Sequence, residues 1–176
     1  MTLGTAPERP WNAPGMTLTR RLILLRHAKS AWPADIPDAR RPLAERGRRD
    51  APAVGRWLRA HIATIDRVVC SPAVRAVQTW DLAAAQLATT PPACLDERLY
   101  GASAAVLLAV THKLAPDAST AVLVGHNPGL EDFLTLLTGA VEPLKTSSLA
   151  VISVPDSWAA TSPDSAALET LATPRG

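Results

Sequence analysis

The chain predicts an α/β fold: a three-layer α/β/α sandwich with a mainly parallel central sheet and a C-terminal antiparallel hairpin. Strand-like and helix-like segments alternate through its middle, the order that builds a sheet with helices on its faces. Leu22-Ile23-Leu24-Leu25 is a run of four large aliphatics bounded by charge, which reads as a short strand buried on both faces. Near the end, Ser148 to Val154 reads as a strand, and Ala166 to Ala172 alternates well enough to pair with it.

The elements follow in order. Residues 1–19 hold three prolines and two glycines and read as a flexible tail, with Met16 a second start position. Residues 20–176 form one domain. After the first strand comes a loop from Ala31 to Arg41. Leu43 to Ile62 then carries Val54, Trp57, Leu58 and Ile62 at helical spacing, and Gly47 and Pro52 predict a kinked or two-part helix.

Arg67-Val68-Val69-Cys70 is the second strand. Ser71-Pro72 follows as an N-cap with proline at the first helical position, opening a helix to about Leu87. Cys94-Leu95 is a short third strand, and Ala104 to about His112 an apolar helix. Ala121-Val122-Leu123-Val124 is the fourth strand. It ends in Gly125-His126-Asn127-Pro128-Gly129, where Asn127 and Pro128 repeat the cap-plus-proline start. Leu130, Phe133, Leu134 and Leu137 form the stripe of the next helix.

Composition excludes several classes. With 47% hydrophobic and 19% charged residues, the chain is an ordinary globular domain, long enough to bury roughly 70% of its unfolded surface. A net charge of +2, without a dense Lys/Arg run, argues against nucleic acid as a partner. No segment reaches the roughly 18 apolar residues of a membrane span. Cys70 and Cys94 lack metal-ligand spacing; Cys70 reads as a small core residue, and free thiols point to a reducing cytoplasm.

Parallel sheets present ligands at the carboxyl ends of their strands. Here those ends carry Arg26-His27, Arg75 one turn into its helix, and Gly125-His126, with Glu97 as a carboxylate. Guanidinium groups bind phosphate through paired, charge-assisted hydrogen bonds, and helix N-termini add partial positive charge. No Asp-rich metal site and no Gly-rich nucleotide loop accompanies them, so the expected chemistry uses neither metal nor cofactor. Like charge disfavours protonation of a histidine in such company and leaves a ring nitrogen free to attack phosphorus. Glu97 then serves to protonate the leaving group and later activate water.

Five segments in order resemble the histidine phosphatase superfamily, with its phosphoglycerate mutase-like fold, and within it the small phosphohistidine phosphatases of the SixA type. They are Leu24 to Ser30, Arg41-Pro42-Leu43 with Gly47, Ser71 to Thr79, Asp96 to Gly101, and Val124 to Gly129. The resemblance implies His27 as the phosphorylated nucleophile and Arg26, Arg75 and His126 as the phosphate pocket. Glu97 matches the proton donor of the mutase branch. Ala28 stands where mutases usually carry glycine, and Asn127 where the acid phosphatase branch has an aspartate donor.

Phosphohistidine asks less of an enzymic acid, because its imidazole can depart already protonated. Short crossovers leave the site open, which suits a phosphate displayed on a protein. The expected partner is therefore a phosphorylated protein, with a small phosphomonoester, or phosphate binding without turnover, as the alternatives. A monomer or weak dimer is expected. Lys29 either steers phosphate or is a solvated lysine, and Trp32 either touches a partner or packs its loop. Asp38 and Arg41 are read as a pair that fixes the loop, and His61 and His112 as surface or packing residues.

Overall fold

The computed structural model describes residues 18–176; most of the predicted tail lies outside the described residues. The first strand, β1 (Leu18–Arg26), is longer than the aliphatic run at its centre. After it come α1 (Glu45–His61), β2 (Arg67–Cys70), α2 (Val74–Ala84) and β3 (Cys94–Leu95). The chain continues with α3 (Ala104–Thr111), β4 (Thr120–Gly125), α4 (Gly129–Thr138), β5 (Leu149–Pro155) and β6 (Ala167–Ala172).

The sheet order is β3-β2-β4-β1-β5-β6. β1 to β4 are parallel to one another, whereas β5 runs antiparallel to both β1 and β6. The terminal pair is therefore as expected, and β5 also closes one side of β1. Leu22, Ile23, Leu24 and Leu25 are all fully buried. Alternation sends Leu22 and Leu24 into a core with Leu107, Leu130 and Phe133 of α3 and α4. Ile23 and Leu25 enter the opposite core with Val54, Leu58 and Trp80 of α1 and α2. Helices cover both faces, so the sandwich has three layers.

Three local expectations are corrected. The segment after Leu43 is one 17-residue helix with Pro52 inside it, which excludes the two-part form of the two expected. Gly47 is needed for closeness: a Cβ there would lie 2.1 Å from the Lys29 carbonyl oxygen. α2 begins at Val74 and ends at Ala84, short of Leu87, and Ser71 does not cap it. α4 begins at Gly129 with Pro128 as its N-cap residue, so Asn127 does not cap it either. Both side chains are engaged elsewhere, Ser71 with the His126 ring and Asn127 with the Leu144 carbonyl.

Among the described residues no helix is long and apolar enough to cross a membrane. Cys70 and Cys94 are free. Burial pushes the Cys70 thiol up to about 12, with Asp81 adding to the shift, as befits an inert core residue.

Candidate active site

Sheet register brings the predicted strand ends level. Arg26 lies beside Gly125 and Cys70 beside Val124, so the next residues, His27, Ser71 and His126, emerge together. The His27 amide donates to the Gly125 carbonyl at 3.1 Å, and the Ser71 amide to the Val124 carbonyl at 2.9 Å. A cleft of about 220 Å³ opens there, lined by Arg26, His27, Arg75, His126 and Asn127 at its base and by Lys29, Trp32 and Arg41 toward its rim. Larger cavities of about 360 and 310 Å³ lie at the opposite edge of the sheet and contain no histidine. The smaller cleft is the one that brings two histidines and three arginines together.

His27 is buried, and its hydrogen bonds define its tautomer. Nδ1 lies 2.7 Å from the Ala28 carbonyl, which only accepts, so Nδ1 carries the proton. Nε2 accepts from Arg75 Nε at 3.3 Å and therefore presents a lone pair. The Ala28 peptide is held in turn, because its amide donates to Thr79 Oγ1 at 2.9 Å. Burial pushes the His27 pKa down to about 3, with the charges of His126, Arg75 and Arg26 adding and the Ala28 bond opposing. The neutral imidazole expected from like charge is present, but desolvation is its larger cause.

His126 stands beside it, with ring centroids 5.0 Å apart. Its Nε2 lies 2.7 Å from the hydroxyl of fully buried Ser71, and its Nδ1 is buried without a partner. Its pKa falls to about 4, first through burial, then through Arg75, with Asp38 opposing and Arg26 adding. Arg26 donates from Nη1 to the Leu144 carbonyl at 2.7 Å and leaves Nε buried and unpaired. Asn127 Nδ2 donates to the same carbonyl at 2.9 Å. Leu144 is itself fully buried, and its amide donates to Glu131 at 2.7 Å, so one loop residue orients both cleft side chains. Arg26 Nε and His126 Nδ1 are thus two buried polar atoms left without a protein partner at the cleft.

The loop before α1 contributes more than the sequence indicated. Asp38, on a 3-10 turn (Asp38–Arg40), accepts from Arg41 Nη1 at 2.7 Å, the pair expected to fix the loop. It also accepts from Arg75 Nη2 at 2.9 Å and from the Tyr100 hydroxyl at 2.7 Å, while its carbonyl accepts from Arg75 Nη1 at 2.6 Å. The Tyr100 hydroxyl and Arg41, with Arg75, hold the Asp38 carboxyl well below the usual carboxylate range. Tyr100 is correspondingly kept protonated, its pKa raised by Asp38. Its ring meets His126 edge-on at 5.7 Å. The nearness of Asp38 to Arg41 in sequence pointed to that ion pair; nothing local pointed to Arg75, 37 positions away.

Glu97 is brought near none of these groups by hydrogen bond or ion pair. It is exposed on a 3-10 turn (Glu97–Leu99) and does not line the cleft. Lys29 is exposed at the rim. His61 stacks on Trp57 at 4.3 Å, and His112 donates to the Thr161 carbonyl at 2.7 Å, both away from the cleft. Among the described residues no group of three or more His, Cys, Asp or Glu side chains is arranged to hold a metal ion.

A profile of the histidine phosphatase superfamily (branch 1) matches residues 22–133. An uncharacterised protein of Mycobacterium tuberculosis is 38% identical over 162 residues, covering 86% of this chain and all of that protein. The structure of a candidate phosphohistidine phosphatase SixA from Nakamurella multipartitia superposes with a TM-score of 0.78 at 31% identity, over 88% of this chain and 96% of the other. A protein histidine phosphatase SixA complexed with tungstate shares the fold, with a TM-score of 0.76 at 22% identity over 88% and 97% of the two chains. The matched residues contain the level strand ends and the cleft they form. The chain belongs to the histidine phosphatase superfamily, in its SixA-type group, and is by class a phosphatase.

Proposed function

We propose that the protein hydrolyses phosphohistidine on a protein partner, by way of a phosphoryl group carried transiently on Nε2 of His27. One observation carries the choice of substrate: the carboxylates near the cleft are not disposed as acids. Asp38 is held ionised by three donors, and Glu97 is exposed and outside the cleft lining. A phosphomonoester releases an alkoxide that needs a proton in the transition state. Phosphohistidine releases an imidazole, which leaves readily once its other nitrogen is protonated. The small open cleft is also below the roughly 300–1,000 Å³ of sites that enclose small ligands.

In the first step the Nε2 lone pair of His27 forms a bond to phosphorus. The phosphorus–nitrogen bond of the substrate breaks, and its electron pair stays on the departing imidazole. Arg26, Arg75 and His126 hold the phosphoryl oxygens, the two arginines supplying the positive charge that other phosphatases draw from a metal ion and His126 a ring nitrogen. The Ala28 carbonyl stabilises the Nδ1 proton as His27 becomes positively charged. A water then attacks phosphorus, the bond to Nε2 breaks, and inorganic phosphate leaves. The proton released by the water balances the one taken up by the leaving group.

The test combines three measurements in EDTA. The protein is expected to release phosphate from a histidine-phosphorylated carrier protein and to form an acid-labile phosphoenzyme. His27→Ala is expected to abolish both. Preference for sugar or nucleotide phosphates over phosphohistidine would overturn the substrate assignment, and full activity in His27→Ala would overturn the mechanism.

A further inference from the structure

The Trp32 indole is exposed on a cleft whose other lining residues are mostly polar or charged. Its relative exposure is 75%, although a tryptophan normally gains by burial. The side chain is nonetheless seated. The Arg41 guanidinium lies 3.2 Å from the indole centroid, on one face of the ring. Arg41 is itself buried and fixed by the Ala31 carbonyl at 2.9 Å, Asp38 Oδ1 at 2.7 Å and Ser30 Oγ at 2.5 Å. Each of its three nitrogens donates to the protein, so the guanidinium is fixed in place beneath the ring.

A cation against one face of an indole draws π density toward it. The far face of the indole stays open and held in place, free to stack a flat ring. In-line attack by His27 Nε2 puts the leaving group on the side of phosphorus away from Nε2, and Trp32 lines the same cleft. A further exposed ring, Tyr100, bonds Asp38 and meets His126 edge-on.

We propose that the open face of Trp32, backed by Arg41, is the surface on which the phosphoimidazole ring of the substrate stacks. Trp32 is thus the residue that separates a phosphoryl group on a ring displayed by a protein from one on a small non-aromatic carrier. The inference rests on the phosphohistidine reading above and adds to it the residue that recognises the carrier.

The experiment compares wild type, Trp32→Ala and Trp32→Phe on two substrates with the same phosphorus–nitrogen bond. One is a peptide whose histidine has been phosphorylated with phosphoramidate; the other is phosphoramidate itself, which has no ring. Trp32→Ala is expected to lower kcat/KM for the peptide roughly fivefold to tenfold through KM, the size of a lost aromatic stack. Phosphoramidate turnover is expected to stay within about twofold, and Trp32→Phe to recover most of the loss. Equal losses on both substrates, or no loss on the peptide, would overturn the stacking role alone. Failure of the wild type to hydrolyse the peptide while it hydrolyses p-nitrophenyl phosphate would overturn the phosphohistidine reading and the stacking role with it.

Discussion

Asp38 grips Arg75 twice, through its carboxylate at 2.9 Å from Nη2 and its carbonyl oxygen at 2.6 Å from Nη1. The grip leaves Arg75 Nε directed at His27 Nε2, 3.3 Å away. Asp38 is half-exposed, so its ion pairs add little to global stability. Its consequence is positional. Asp38→Ala is expected to lower kcat about ten- to a hundredfold, as small misplacements of a phosphate-binding group do, with little change in Tm. Steady-state kinetics beside a thermal melt checks both halves.

His27 is expected to remain neutral well into acid in the free enzyme, with its proton on Nδ1. Long-range proton–nitrogen NMR spectra at about pH 5 would show that tautomer directly. A protonated His27 ring at that pH would contradict the burial that lowers its pKa to about 3.

The same burial makes stability depend on pH. Unfolded, His27 and His126 ionise near 6.5; folded, near 3 and 4. Between those limits the unfolded chain binds more protons, so these two groups make stability fall as pH drops below about 6.5 and contribute nothing above it. Urea titrations at about pH 7.5, 6 and 5 are expected to show that decline, and a His27→Asn variant a shallower one.

Ser71 is fully buried and bonds His126 Nε2, leaving Nδ1 as the nitrogen without a partner. Ser71→Ala is expected to cut kcat about tenfold by freeing the ring to rotate. Glu97→Gln, by contrast, is expected to keep activity on phosphohistidine within about twofold, because its side chain bonds none of the cleft groups. A large loss in Glu97→Gln would restore it as the proton donor.

Gly47→Ala tests how α1 supports the segment that follows His27. The added Cβ would meet the Lys29 carbonyl oxygen at 2.1 Å, two residues from His27. Overpacking of this kind costs about 1–3 kcal/mol, so Tm and kcat are both expected to fall.

Much of this was legible in the sequence because its signals are local. Four aliphatics in a row can be buried on both sheet faces only in a central strand, and polar residues directly after such strands belong at the sheet edge. That reasoning reaches His27, Arg26, Arg75 and His126 from short segments. The two helix starts were misread for a related reason. Ser71 and Asn127 have the chemistry of caps, but in the fold their side chains meet His126 and the Leu144 carbonyl instead.

What only the tertiary structure decided is how distant segments complete the site. No local pattern links Asp38 to Arg75 and Tyr100, or Leu144 to Arg26 and Asn127. Those bonds exist because strand register fixes where each loop leaves the sheet, and unpaired buried donors then capture whichever acceptors arrive. By itself the sequence determined the layered fold and the identity of the cleft histidines and arginines. Folding decided their tautomer, their protonation and the supports that hold them, because burial and long-range hydrogen bonds come into being only with the packed chain.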